Sequence, residues 1–163
     1  MLTNRREPKI VSIEPIVSIK NTRMETCIFC KITKGQADAS VVYEDDRCTA
    51  FMDIQPINAG HVLIVPKTHV ESFQDLDEDL AGHLFKVATR INRAIRKSGV
   101  ECEGINYFAA DGEAAFQEIF HAHLHVFPRW RGDRFRLKFS DTYLKKPARE
   151  ELDRIAGRIR NVF

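Results

Sequence analysis

The 163-residue sequence contains no apolar run near the roughly 20 residues that a helix needs to cross a bilayer, so no membrane span is expected. It has no excess of either charge. The 25 Lys and Arg residues stand against 23 Asp and Glu residues, a net +2, and this balance argues against a general nucleic-acid binder. Cysteine is scarce. Of the four, Cys27 and Cys30 form a C-x-x-C pair while Cys48 and Cys102 stand alone as small apolar side chains. That is no secreted disulfide framework, and a reducing cytoplasm is the expected setting. Residues 1–8 are polar and basic with no apolar segment behind them, so no secretory signal is expected. The 44% hydrophobic content suits one domain with a real core.

Residues 1–23 read as an N-terminal extension in which Ile10-Val11-Ser12-Ile13 recurs as Ile16-Val17-Ser18-Ile19. Two copies of four residues make no repeat architecture. Met24 is the expected native start, and residues 24–163 the single domain, with a core at 27–130 and a basic segment at 131–163. Residues 27–35 read as a turn or short helix. Residues 40–43 and 48–52 read as strands joined by Glu44-Asp45-Asp46, and 61–65 as an apolar strand stopped by Pro66. Leu80, Leu84, Val87, Ala88, Ile91 and Ile95 define an amphipathic helix of about five turns. Asp77 is its N-cap, Arg96 and Lys97 fill its last turn, and Gly99 follows as its stop. Residues 104–109 read as a strand, and Leu152, Ile155, Ala156 and Ile159 as a short C-terminal helix. Strands in hairpins around one long helix give an α+β plan with an antiparallel sheet of about five strands. The run of cations from Arg129 to Arg149, opposed only by Asp133 and Asp141, reads either as a solvated face or as a basic rim for polyphosphate or RNA.

Three of the six histidines fall at alternate positions in Phe120-His121-Ala122-His123-Leu124-His125-Val126-Phe127. On a strand all three imidazoles share one face, roughly 7 Å apart, and Ala122, Leu124 and Val126 share the other. On a helix His121 and His123 would diverge by about 200°. Three readings are open: a polar strand face, a metal site, or a histidine nucleophile with its neighbours handling protons. C-x-x-C likewise reads as a thiolate pair for zinc or as a redox pair, although no βαβ pattern surrounds it.

The histidine run followed by Val126-Phe127-Pro128-Arg129 resembles the histidine triad (HIT) nucleotide-binding proteins. Other pieces match in order: Cys27-Ile28-Phe29-Cys30-Lys31-Ile32, Val42-Tyr43-Glu44-Asp45-Asp46, Phe51-Met52-Asp53-Ile54 with Pro56, and Gly60-His61-Val62-Leu63-Ile64-Val65-Pro66-Lys67 with His69. The resemblance covers about two thirds of the chain and implies the HIT-like α+β fold, usually homodimeric. It implies a structural zinc on Cys27, Cys30, His69 and His121, as in the zinc-bearing bacterial branch. It implies His123 as nucleophile toward an α-phosphate, His125 as phosphate contact and leaving-group partner, and His61 as a third catalytic histidine, for which a core role is the rival reading. Asp53 then holds the ribose, Gln117 the phosphate, and Ile28, Phe29, Phe51 and Ile54 the base, although these apolar residues also suit the core.

The implied activity is hydrolysis or transfer at the α-phosphate of adenosine phosphoramidates or dinucleoside polyphosphates through a nucleotidyl-histidine. The rivals are a non-catalytic purine-nucleotide-binding module and a hydrolase whose triad holds a catalytic metal. Two departures bear on substrate choice. Ala109-Ala110-Asp111-Gly112 replaces a pattern with two asparagines, and Phe116-Gln117-Glu118 replaces Gly-Gln-Ser or Gly-Gln-Thr. Glu118 beside a phosphate would have to turn away, pair with a cation such as Arg129, or bind a proton.

Overall fold

In the computed structural model, which describes residues 25–163, five strands pair antiparallel in the order β1-β2-β3-β5-β4. They are β1 (Val41–Glu44), β2 (Cys48–Met52), β3 (Val62–Pro66), β4 (Gly104–Phe108) and β5 (Leu124–Arg129). The expected extension, its paired Ile-Val-Ser-Ile segments and Met24 lie outside the described residues. Strand β3 is apolar throughout because both its faces are covered. Val62 and Ile64 pack with the long-helix cluster, and Leu63 and Val65 pack with Phe29 and Phe51 on the opposite face. A period of two thus sorts one continuous apolar run onto two cores. Pro66, expected to stop this strand, is its last residue.

The helices are α1 (Ile28–Thr33), α2 (Glu78–Lys97) and α3 (Arg149–Arg160). All six periodic residues of α2 are buried, and Leu84 and Val87 are fully enclosed. Each such side chain contributes about 1.5–3 kcal/mol by leaving water. Asp77 caps the helix as expected, its Oδ1 accepting the Leu80 N–H at 3.0 Å. Among the described residues, no helix is long and apolar enough to cross a membrane. Of the described residues, those up to Asp133 form one compact unit, and Arg134–Phe163, with α3, form a second.

The histidine run is not one strand. Strand β5 begins only at Leu124, so His121 and His123 precede it. Pairing with β3 covers Val126 to Leu124 and ends there. Ahead of it the backbone is drawn elsewhere: the Ala122 N–H donates to the Val70 carbonyl at 2.6 Å and the His121 N–H to that of Ile119 at 2.8 Å. His121 and His123 are buried along with Ala122, Leu124 and Val126.

The acidic turn between β1 and β2 carries a network the sequence reading missed. Asp45 Oδ1 accepts the Arg47 and Cys48 N–H groups at 2.9 Å, and Oδ2 accepts the Tyr43 hydroxyl and His83 Nε2 at 2.8 Å. Burial works against the charge, but these two backbone and two side-chain donors hold the carboxyl well below the usual range. A depressed folded pKa contributes stability that is present above the unfolded value of about 4 and is lost as pH falls toward the folded value. Asp45→Asn should therefore be less stable than wild type at pH 7, by about 1–3 kcal/mol, with the gap closing below pH 4. Thermal melts from pH 7 to pH 3 check this, and a gap of constant size would contradict it.

Candidate active site and metal centre

Two elements bring the chemistry together. The first turn of α1 carries Cys27 and Cys30 to the segments that hold His69 and His121. Cys30 Sγ lies 3.2 Å from His69 Nδ1 and 3.6 Å from His121 Nδ1. Cys27 Sγ lies 3.4 Å from His121 Nδ1, and the two Nδ1 atoms are 3.3 Å apart. Bonds of 2.0–2.3 Å to a tetrahedral zinc imply ligand-to-ligand edges of roughly 3.3–3.8 Å; the four separations above lie close to that range and all four ligand atoms lie within 4.8 Å of one another, so the cluster fits a zinc ion. His121 Nε2–H donates to the Pro66 carbonyl at 2.9 Å, which leaves the Nδ1 lone pair for the metal. Burial and the neighbouring Cys27 push the Cys30 thiol up to about 11, so only a cation would draw the thiolate out near neutrality. Cys48 is buried, its thiol pushed up to about 12 chiefly by desolvation. All four cysteines are free thiols.

The other triad members face different partners. His123 Nδ1–H donates to the His121 carbonyl at 2.7 Å, leaving Nε2 as the ring's only lone pair. The Ile57 N–H donates to His61 Nδ1 at 3.1 Å, so the His61 proton is on Nε2. That nitrogen lies 2.9 Å from His125 Nδ1, which must accept. The His125 proton is consequently on Nε2. A chain of three hydrogen-bonding groups thus fixes two tautomers. Burial pushes His125 and His121 down to about 4, and lowers His61 and His123 as well, so all four rings are neutral near pH 7. Asp53 Oδ2 is 3.4 Å from His61 Nδ1, and its Oδ1 accepts the Gln55 N–H at 2.9 Å. Asp53, His61 and His125 are close enough to form a second ligand trio. Their nitrogen lone pairs, however, are taken up by the hydrogen bonds just described.

Gly60 sets the entry to His61. Its φ is +93°, and a Cβ there would meet Val100 Cγ1 at 2.9 Å and Pro128 Cγ at 3.2 Å. Phe29 and Phe51 meet edge to face at 5.7 Å, and Phe29 lies 5.1 Å from the His123 ring. Phe29 and Phe51 are buried, Ile28 is exposed, and Ile54 stands at 96% exposure.

Gln117 is engaged with the backbone. Its amide nitrogen donates to the Glu71 and Ile119 carbonyls at 2.7 and 3.1 Å, and its oxygen accepts the Gly112 N–H at 2.8 Å. Phe116, where the family pattern has glycine, takes φ 68° and is 82% exposed. A bulky side chain in this left-handed region carries roughly 1–3 kcal/mol of strain. Glu118 is exposed and lines a cavity of about 590 Å³ with Cys27, Ile28, His69, Glu71 and Glu113. Arg129, considered above as its partner, donates to Asp133 and to Asn106 Oδ1. The groups that sequence reasoning missed are backbone: the Ile57 N–H and the Pro66 and His121 carbonyls, which carry no residue-type signal.

Comparison with known proteins supplies the context. A family profile described as "HIT domain" matches residues 34–132. The protein named "Protein hit" of Bacillus subtilis is 43% identical over 112 residues, covering 68% of this chain and 77% of that protein. "Adenylylsulfatase HINT3" of Arabidopsis thaliana is 34% identical over 113 residues, covering 69% of this chain and 57% of that one. "Adenosine 5'-monophosphoramidase HNT1" of Candida albicans is 33% identical over 107 residues, covering 64% and 70%. Among solved structures, a HIT family protein from Bacillus anthracis superimposes with a TM-score of 0.78 at 37% identity, covering 85% of this chain and 98% of that one. A zinc-bound histidine triad family protein from Mycobacterium smegmatis gives 0.67 at 36% identity, covering 86% and 99%.

Proposed function

The chain belongs to the HIT family, and on that premise we propose that it hydrolyses or transfers at the α-phosphate of an adenosine nucleotide, with His123 as nucleophile. The observation that carries this reading is the His123 Nδ1–H bond to the His121 carbonyl, which leaves a neutral Nε2 lone pair. Nε2 attacks the α-phosphorus, forming the N–P bond as the bond to the leaving group breaks. His125 Nε2–H, held in that tautomer by the His61 Nε2–H donated to its Nδ1 at 2.9 Å, supplies the proton that the leaving group takes, and the water that cleaves the N–P bond returns a proton to His125. Water then cleaves the N–P bond and releases AMP. Asp53 accepts from the ribose hydroxyls, and Phe29 and Phe51 wall the base.

We further assign a structural zinc to Cys27, Cys30, His69 and His121. When bound it supplies a closed cross-link with no open coordination position. The protein's contribution is to hold the His121 carbonyl where His123 needs it. We also read the protein as a homodimer. Strand β4 is a sheet edge, and Tyr107 and Phe108 on it are exposed together with Phe85 of α2. This reading calls for no nucleic-acid or membrane partner, in keeping with the balanced charge and the lack of a long apolar run.

Release of AMP from a panel of phosphoramidates, an adenylyl sulfate and dinucleoside polyphosphates is the direct test, and no release from any of them would leave a binding module. The cavity beside Glu118 borders Cys27 and His69 rather than His123 or His125, and we propose that its charge acts on the leaving group from there. Three of its residues are carboxylates, and none is Lys or Arg. An amine leaving group, which carries or gains positive charge, suits these surroundings better than a polyphosphate does. Glu118→Ser should narrow the preference for phosphoramidates over dinucleoside polyphosphates, read as a ratio of kcat/KM values. An unchanged ratio would remove Glu118 from substrate choice.

A further inference from the structure

Residues 53–61 join β2 to β3 and end on His61. Asn58, within them, is buried and bonds in two directions. Along the chain its carbonyl accepts the His61 N–H at 3.1 Å, closing a turn in which Gly60 takes its φ of +93°. Across the sheet its side-chain nitrogen donates to the Pro128 carbonyl at 2.8 Å and to Asp133 Oδ2 at 3.0 Å, so both amide hydrogens are used. The β3–β5 ladder ends at Val62 and Val126, and the Arg129 carbonyl turns to Glu103 beside β4. The Pro128 carbonyl therefore faces the side that β3 no longer covers, and Asn58 fills that place. The Asp133 side chain is 1% exposed and also takes Arg129, whose Nη1 donates to Asn106 Oδ1 on β4 at 2.7 Å. One amide and one ion pair thus tie the loop to β5 and β4.

Two groups compete for His61 Nδ1. The Ile57 N–H at 3.1 Å requires a lone pair there, whereas Asp53 Oδ2 at 3.4 Å would accept a proton from it. With Ile57 as the partner, His61 and His125 both carry their proton on Nε2. With Asp53 as the partner, His61 would carry Nδ1–H and its Nε2 would accept across the 2.9 Å contact. His125 would then carry Nδ1–H, and its Nε2 would have no proton to give. Both arrangements keep the two rings neutral and bonded to each other. What separates them is the Ile57 N–H, on the residue next to Asn58. We propose that Asn58, anchored by Asp133, is a positioning residue for His125. It holds the Ile57 N–H on His61 Nδ1 and so keeps the His125 Nε2 proton available to the leaving group. The inference rests on the proton-donor role proposed above for His125.

Nitrogen-15 shifts of the histidine rings in the full chain read the tautomers without any substrate. In wild type, Nδ1 of both His61 and His125 should be unprotonated, and in Asn58→Ala an Nδ1–H form of both should appear. Turnover reads the same change through two derivatives of one nucleotide. An alkylamine phosphoramidate of AMP releases its amine only with a proton, whereas the p-nitrophenyl ester of AMP releases a phenolate without one. Because a general acid is typically worth roughly 10²–10⁴-fold, the ratio of kcat values, phosphoramidate to ester, should fall about tenfold or more in Asn58→Ala. A loop that merely misplaced Asp53 would act on both substrates alike and leave the ratio unmoved. Asp133→Asn keeps the shape of the side chain and loses the ion pair. It should move both readouts in the same direction, and it carries the test where Asn58→Ala does not fold. Unchanged tautomers in folded variants, or an Nδ1–H on His125 in wild type, would overturn the proposal. Shifted tautomers with an unmoved ratio, or with no AMP release by wild type from either compound, would support the clamp and overturn the donor role of His125.

Discussion

His123→Ala is expected to lower AMP release by roughly 10⁴-fold or more while nucleotide binding persists. The loss is large because no neighbouring ring can take over the attack. His121 Nδ1 is committed to the cysteine cluster, and its Nε2–H to the Pro66 carbonyl. His125 Nδ1 accepts from His61, and its Nε2 carries the proton. On the proposed reading, binding rests instead on Asp53 and the Phe29–Phe51 wall. Titration calorimetry with AMP beside a turnover assay separates the two effects. Near-normal turnover in the variant would exclude nucleophilic catalysis at this residue. Loss of binding together with turnover would make the ring a structural member of the site.

Cys27→Ser and Cys30→Ser are expected to lose a zinc that wild type holds at about one atom per chain. They should also melt lower by on the order of 10 °C. The second effect follows from what the cluster joins. Cys27 and Cys30 belong to the start of α1, His69 follows β3, and His121 precedes β5, so a metal held there would tie three separate segments. Apolar packing between α1 and β3 runs through Phe29, Leu63 and Val65 alone in the buried set, with Phe51 from β2. Because the Cys30 thiol must lose a proton held up to about 11, zinc affinity should also fall as pH falls. Undiminished zinc in both variants would dispose of the assignment. Chelation should lower the melting temperature of wild type and leave that of the serine variants unmoved.

The parts of this molecule that were legible in the sequence are those with a repeating pattern. Helix α2 declared itself through six residues at helical spacing and a capping Asp77, and β3 through an unbroken apolar run. The four cysteines and histidines of the metal cluster could be grouped because C-x-x-C has a ligand spacing and the family supplies the rest. The histidine run misled as to its backbone. Alternation implied a strand through the whole run, yet the strand starts only at Leu124, and ahead of it the His121 carbonyl accepts from the His123 ring. Their shared site survives because consecutive hydrogen bonds through backbone carbonyls place them, a feature with no signature in residue type. Gln117 is similar: its three partners are main-chain groups at residues 71, 112 and 119. The left-handed Phe116 was visible only as a departure from a glycine, and the Asp45–His83 contact joins residues 38 apart.

The central claim is that His123 becomes covalently attached to the nucleotide. Rapid acid-free quenching of the protein with an adenosine phosphoramidate, followed by peptide mass analysis, tests it most directly. The account predicts one adenylyl group on the His123 imidazole within the first turnover, and none in His123→Ala. An adenylyl group on another residue, or AMP release at full rate with His123 unmodified throughout, would contradict it.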